Sequence, residues 1–327
     1  MSQKVEINAE NAAHTIPPDG REAPGAQKNA PVEYFNRHTG RVEREQIYGE
    51  APLRWAYETP AGRAAVWLLA RRAFFSRWFG WRMRRPASVA RIAPFIADFG
   101  LDPAEFAEAP ENFRSFDDFF SRKLVPRARP VDDAPGVAVF PADGRHLGFQ
   151  NISAATGVYA KGQRFSLAEF LGDTALAGRY QGGALVCSRL CPVDYHRFHF
   201  PVDAIPAAPR DIKGWLYSVN PVALRRNIAR LWENKRAVVT LDAGGRAGVV
   251  TLVIVGATNV GSWRYTHTPG VPVRKGGEAG YFRFGGSFVA TLFEPGRVRL
   301  ADDLLRETAS GRELYAHVGT SLGELMP

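Results

Sequence analysis

Between Pro60 and Arg85 apolar residues recur at three- and four-residue steps. Trp67, Ala70, Phe74, Trp78 and Trp81 therefore share one face of a predicted helix. Arg63, Arg71, Arg72, Arg77, Arg82, Arg84 and Arg85 fill much of the remaining surface, and Pro86 ends the pattern. A second helical stretch is predicted over Ser88–Phe99. A third starts at Ser115, with Asp117 and Asp118 in its first turn. After Pro130 the rhythm changes to short Val/Ile/Phe/Tyr runs cut by Gly, Pro and Asn, among them VAVFPADG, LGFQNI, GVYAKGQ, ALVCSRL, AVVTLDAGG, VVTLVIVGA, FVATLFEPG and RVRL. That is the pattern of strands and turns, with Leu167–Leu171 and Pro221–Trp232 as helical insertions.

Three regions follow: a polar, aperiodic, disordered tail over residues 1–32, a helical region over 33–128 that is membrane-associating if its arginine-rich helix is interfacial, and a β-rich domain over 129–327. The fold class is α+β, with helices packed on a mainly antiparallel β domain.

Composition narrows the partners. The chain has 327 residues, 45% of them hydrophobic, which is enough for a substantial core. A net charge of +9 implies an anionic partner, either nucleic acid or an acidic membrane surface. No nucleic-acid-binding motif accompanies the charge. The aromatic and arginine-rich helix suits two ends equally by its period: lying in a lipid interface, or packing on its own domain. The longest uncharged run, Ala247–Trp263, is rich in Val, Ile and Thr and carries three glycines, so it reads as buried strands rather than a membrane span. The N-terminus has no apolar segment of the secretory type. Cys187 and Cys191, at C-x3-C spacing, do not form a zinc motif and read as two buried thiols in a reducing compartment.

Reactive side chains concentrate in three segments. Pro141–Arg145 presents Asp143 in an Asp-Gly turn. Arg189–Pro201 holds His196 and His199 three residues apart. In extended backbone that spacing points the rings to opposite sides and hence to different roles; in a turn they could converge on a metal, but no third ligand is near. Lys275–Phe288 ends in Gly285-Gly286-Ser287-Phe288, where a residue without Cβ lets the backbone bring a carbonyl close to the serine hydroxyl. Ser262, after Gly261, is the competing serine.

From about Tyr34 onward the chain resembles the phosphatidylserine decarboxylases. Eight segments carry the likeness in the family's order: FFSRKLVPRARP (119–130), PADGR (141–145), KGQRFSLAEFLG (161–172), RLCPVDYHRFHFPVDA (189–204), YSVNP (217–221), ENKR (233–236), VGATNVGS (255–262) and KGGEAGYFRFGGS (275–287). YFNRHTGRVEREQIYGE (34–50) is similar to the extended bacterial branch. Where the family has Leu-Gly-Ser-Thr, this chain keeps Gly286-Ser287 and replaces both neighbours.

The resemblance implies a self-processing enzyme. Asp143 orients His199, His199 deprotonates Ser287, and Ser287 Oγ attacks the Gly286 carbonyl carbon to give an ester. β-Elimination frees the Gly286 carboxylate, and the dehydroalanine left behind hydrolyses to a pyruvoyl group with loss of ammonia. The products are a β chain ending at Gly286 and an α chain of residues 287–327, 41 residues. The pyruvoyl cofactor then forms a Schiff base with phosphatidylserine, and His196 donates a proton after CO2 departs, giving phosphatidylethanolamine. No metal is implied, and a homodimer is compatible with the resemblance. The implied location is peripheral, on the cytoplasmic face of a bacterial cell membrane. Two alternatives are a pyruvoyl decarboxylase of a soluble amino acid, against which the arginine-aromatic helix speaks, and a non-catalytic binding relative, against which the Asp143/His196/His199/Ser287 set speaks.

Overall fold

The computed structural model describes residues 32–70, 73–154, 166–220, 230–257, 262–285 and 287–327. The predicted tail up to Pro31, Arg71 and Arg72, Gly286, the GVYAKGQ run and most of the Pro221–Trp232 insertion lie outside these residues.

Strands in chain order are β1 (Glu33–Asn36), β2 (Arg41–Arg44), β3 (Val137–Val139), β4 (Gly144–Phe149), β5 (Ala184–Leu190), β6 (Arg197–His199), β7 (Ile205–Pro206) and β8 (Arg210–Ile212). They continue with β9 (Arg236–Gly244), β10 (Gly248–Gly256), β11 (Trp263–Tyr265), β12 (Glu278–Phe282), β13 (Ser287–Phe293), β14 (Val298–Leu300), β15 (Glu313–Ala316) and β16 (Ser321–Leu325). The main sheet is ordered β2-β1-β15-β4-β5-β13-β10-β9-β7, with β8 also on β9; β11-β12-β6 and β14-β16-β3 form two small sheets. Strand pairing in the main sheet is antiparallel except between β1 and β15.

The central strands read as nearly unbroken apolar runs because both faces of the sheet are covered. Val250, Leu252, Ile254 and Val289 join one core with Phe198, Phe200 and Phe282 of the small sheets. Val253, Val255, Phe288, Ala290 and Leu292 join the other with Phe170, Leu171, Ala177 and Tyr180. The last group comes from two short helices and the residue that ends them, α6 (Leu167–Leu171) and α7 (Thr174–Arg179), capped by Ser166 and Asp173.

The N-terminal region differs from the expected helical block. Residues 33–44 form a hairpin on the main sheet, because the alternation in YFNRHTGRVER fits β pairing with β15. Helices begin with α1 (Glu50–Glu58) and α2 (Pro60–Ala65), the latter capped by Thr59. The single helix expected over Pro60–Arg85 is interrupted by a π turn at Val66–Ala70 before α3 (Ala73–Met83). There follow α4 (Ile92–Phe99) and α5 (Phe116–Phe120), the second capped by Ser115 Oγ, which accepts the Asp118 N–H. A third core of Met83, Ile92, Phe95, Phe116, Phe119 and Phe120 holds these helices together. Phe284, two residues before Gly286, inserts into it. Toward the other end lie α8 (Arg230–Glu233) and α9 (Asp302–Ala309).

Candidate active site

Ser287 opens β13 at the centre of the main sheet, paired with Leu190 of β5 on one side and Gly256 of β10 on the other. It is fully buried. Gly285 has φ +135°, a conformation that side-chain-bearing residues rarely adopt, so glycine suits the place where the family carries leucine. Phe288 points to the opposite face, where its ring is buried in the core beside α6 and α7. Both departures from the family motif are therefore accommodated. The approach to Ser287 is held by Asp117 of α5, whose carboxylate accepts the Phe284 N–H at 2.9 Å.

The side chain beside Ser287 is His196, with Nδ1 at 3.2 Å from Oγ. Nε2 lies 2.8 Å from the Cys191 carbonyl oxygen. A carbonyl only accepts, so Nε2 carries the proton and Nδ1 presents its lone pair to the serine hydroxyl. The ring stacks on Phe120 at 3.7 Å. Burial, helped by the charge of Arg122, lowers its pKa to about 3, so the imidazole is neutral at physiological pH.

The turn carrying His196 is closed on itself. Asp194 N–H donates to the Cys191 carbonyl at 2.9 Å, and Cys191 N–H donates to Asp194 Oδ2 at 2.6 Å. Arg145 Nη1 then binds both oxygens of Asp194, at 2.8 and 2.7 Å.

His199 sits three residues on, at the end of β6. Its backbone N–H donates to Pro141 O at 2.7 Å, but its buried Nδ1 has no hydrogen-bond partner among the described residues. Burial lowers its pKa to about 4. Together with Tyr195, Arg129, Leu124 and Val318 it lines a cavity of about 110 Å³. A larger groove of about 620 Å³, by Arg179, Ile205 and Asp242 at the β7 edge of the sheet, includes none of the four site residues.

Asp143 is not joined to His199. Its Oδ2 accepts from Arg129 Nε at 2.7 Å and its Oδ1 from the Val318 N–H at 2.9 Å. Burial pushes the carboxyl above its ordinary pKa, against the charge of Arg129. Thus the structure brings Ser287 and His196 together, places His199 on the neighbouring cavity, and gives Asp143 to Arg129. The relay Asp143–His199–Ser287 expected from the resemblance does not occur as a set of contacts among the described residues. Ser262 is exposed and outside this cluster.

Two arginines of FFSRKLVPRARP received no role from sequence. Arg129 fixes Asp143 and also binds Glu105 at 3.0 Å. Arg122 is buried among Phe106 and Phe119, and Nη2 reaches the Val193 carbonyl at 3.2 Å, but Nε and Nη1 have no acceptor among the described residues. The available signal was weak: Arg122 and Arg129 stand seven apart in a segment that also carries Lys123 and Arg127, and nothing local marks which of the four is buried.

A buried serine behind a glycine pair, with a neutral imidazole on its hydroxyl and a buried guanidinium keeping two nitrogens without acceptors among the described residues, is an arrangement suited to intramolecular acyl chemistry and to an anionic ligand. The sequence model of the phosphatidylserine decarboxylase family matches residues 116–323, and the chain belongs to that family. It is 42% identical to the phosphatidylserine decarboxylase proenzyme of Chlamydia trachomatis over 291 residues, 89% of this chain and 96% of the relative. The proenzymes of Fusobacterium nucleatum and Desulfitobacterium hafniense are each 37% identical over 292 residues, 89% of this chain, covering 97% and 98% of those proteins.

Proposed function

We propose that the chain is a phosphatidylserine decarboxylase proenzyme that cuts itself between Gly286 and Ser287 and converts phosphatidylserine to phosphatidylethanolamine and CO2. Family membership supports the reaction; the observation that carries the site is the buried Ser287 Oγ–His196 Nδ1 contact at 3.2 Å. His196 Nδ1 takes the hydroxyl proton as Ser287 Oγ attacks the Gly286 carbonyl carbon, and passes it to the Ser287 nitrogen as the Gly286–Ser287 amide bond breaks to leave an ester. The Cys191 carbonyl holds the opposite proton on Nε2, so the ring enters the step in the correct tautomer.

The fit of a pyruvoyl group at position 287 rests on Gly285, whose φ of +135° is a backbone conformation open chiefly to glycine, and on the complete burial of the serine. Bound there, the group supplies an electron sink for loss of CO2. The chain's own residues do the rest. Arg122, with Nε and Nη1 lacking an acceptor among the described residues, holds an anionic oxygen of the headgroup. The buried surroundings limit water, and His196, still beside position 287, would relay to the reacting carbon the solvent proton that replaces CO2. His199, with Arg129 and Tyr195, shapes the adjoining cavity. A second reading keeps His199 as the base for Ser287, because its Nδ1 is buried, neutral and unpartnered; the ring must then swing toward Ser287.

The substrate surface is an anionic membrane. Trp55, Trp67, Phe74, Trp78 and Trp81 of the N-terminal helices remain about half exposed, at 48–56%. Arg82 and Arg85 lie over Trp78 and Trp81, at 5.2 and 4.5 Å. Aromatic rings with interleaved arginines suit the headgroup layer, and an exposed patch of this kind marks an interaction surface. Among the described residues no helix is long and apolar enough to cross a membrane. We therefore place the protein peripherally, on the cytoplasmic face of the bacterial membrane, where the buried Cys187 and Cys191, neither in a disulfide, suit a reducing compartment.

The test is intact mass of purified protein followed by CO2 release from phosphatidylserine in anionic vesicles. Two chains, the smaller of 41 residues with a pyruvoyl N-terminus, are expected. A chain that stays whole through long incubation, or a cut chain inactive on the lipid, overturns the proposal.

A further inference from the structure

The turn that carries His196 is not anchored by the catalytic domain alone. The hairpin β1–β2, which precedes the segment matched by the family model, runs directly into Glu45, which is only 6% exposed. Glu45 Oε2 accepts from Arg189 Nη2 at 2.6 Å, and Oε1 accepts from Arg189 Nη1 at 3.2 Å and from the Cys191 thiol at 3.3 Å. Arg189 Nη1 also donates to Cys191 Sγ at 2.8 Å. Arg145, whose guanidinium lies over the rings of both Tyr34 and Tyr315, comes within 3.5 Å of Glu45 while binding Asp194. Every one of these partners is on, or bound to, the Cys191–Asp194 turn or the strand leading into it.

Burial alone would raise the Glu45 carboxyl; attraction to Arg189 and Arg145 outweighs it and holds the pKa down at about 2. The group is therefore a fixed negative charge. Burial also pushes the Cys191 thiol well above its ordinary pKa, so the sulfur keeps its proton and donates it to Glu45. Two buried arginines thus face three carboxylates: Glu45, Asp194 and Glu313, the last bound to Arg189 at 2.5 Å. Neutralising Glu45 leaves Arg145 with Asp194 and Arg189 with Glu313, so each arginine keeps one carboxylate and the cluster goes from one excess negative charge to balance. What is lost is the grip on Cys191, the residue whose carbonyl sets the His196 tautomer.

We propose that Glu45 is a positioning residue for His196, fixing the Cys191 carbonyl through Arg189, Arg145 and the Cys191 thiol. The N-terminal hairpin is then part of the catalytic apparatus and not only an edge of the sheet. The inference rests on the reading that His196 acts at position 287.

The experiment compares full-length Glu45→Gln with the unsubstituted chain. Self-cleavage should slow about 10–100-fold, the usual effect of losing an orienting partner. In the mature enzyme kcat should fall similarly while KM for lipid stays put, since Glu45 touches no substrate. In the uncut Ser287→Ala background, 15N imidazole spectra should show His196 wholly as the Nε2–H tautomer with Glu45 present. In the Glu45→Gln variant of that background a second tautomer should appear. Glu43→Gln is the control, because Glu43 binds Tyr34, Asn36 and Thr39 within the same hairpin and does not reach Cys191. Wild-type cleavage in Glu45→Gln, an unchanged His196 tautomer, or equal slowing in Glu43→Gln overturns the inference. If Glu45→Gln does not fold, Glu45→Asp carries the test: slowed cleavage at an unchanged thermal midpoint supports it, and wild-type cleavage overturns it. Normal cleavage by His196→Ala would instead remove the underlying reading, so the two failures are distinguishable.

Discussion

Replacing His196 separates basicity from packing if two variants are compared. In His196→Ala the ring stacked on Phe120 and fully buried is removed, leaving a hole that costs about 2–4 kcal/mol by analogy with other large-to-small core changes. His196→Asn retains more volume and places an amide oxygen near the former Nδ1, yet that oxygen is no base. General-base assistance contributes about 10²–10⁴-fold. The His196 pKa of about 3 makes it a weak base, which favours the lower half of that range, about 10²–10³-fold. At about 1.4 kcal/mol per decade this is roughly 3–4 kcal/mol of barrier. Proenzyme from cell-free synthesis, followed on denaturing gels against time, gives the cleavage rate, and thermal midpoints report folding. His196→Asn should stay folded and uncut for about a hundred times longer than the parent, while His199→Ala should cut within about tenfold of it. An uncut His199→Ala beside a normally cutting His196→Asn would refute the reasoning. It would mean that the His199 ring moves to Ser287 before reaction.

Ser287→Ala should abolish cleavage and CO2 release, whereas Ser262→Ala, at an exposed position, should cut normally; intact mass decides between them. Stability of the uncut chain should fall as pH drops from about 6.5 toward 4. His196, His199 and His146 have folded pKa values of about 3, 4 and 3, so in that window the unfolded chain binds more protons; each histidine contributes a slope of up to about 1.4 kcal/mol per pH unit. A flat urea midpoint across that range would contradict the neutral, buried state of these rings. Neutralising Arg77, Arg82 and Arg84 together should weaken binding to anionic vesicles by roughly 3 kcal/mol, about a hundredfold, at low salt. Binding that is insensitive to these changes and to added salt would remove the proposed membrane face.

Local signals in the sequence determined much of this protein. Ser115 with Asp117 and Asp118 specifies the start of α5, Pro86 ends the arginine-rich helical stretch, and the apolar runs among the described residues, such as ALVCSRL, VVTLVIVGA and RVRL, become strands, because capping and side-chain alternation act over a few residues. The glycine pair before Ser287 marked the serine, and the three-residue spacing of His196 and His199 set the rings apart in extended backbone but allowed them to converge in a turn. It did not decide which ring meets Ser287. That depends on the pairing of β6 with β12 and on the Cys191 carbonyl, which turns His196 toward the head of β13. Likewise the alternating pattern of residues 33–44 was compatible with a hairpin, but only parallel pairing with β15, nearly the whole chain away, fixes it on the sheet and buries Glu45 beside Arg189. The destination of Arg122, Arg129 and Asp143 was equally invisible. A charged side chain is buried only where partners from distant strands meet it, and those partners are chosen by sheet register, which no local period encodes.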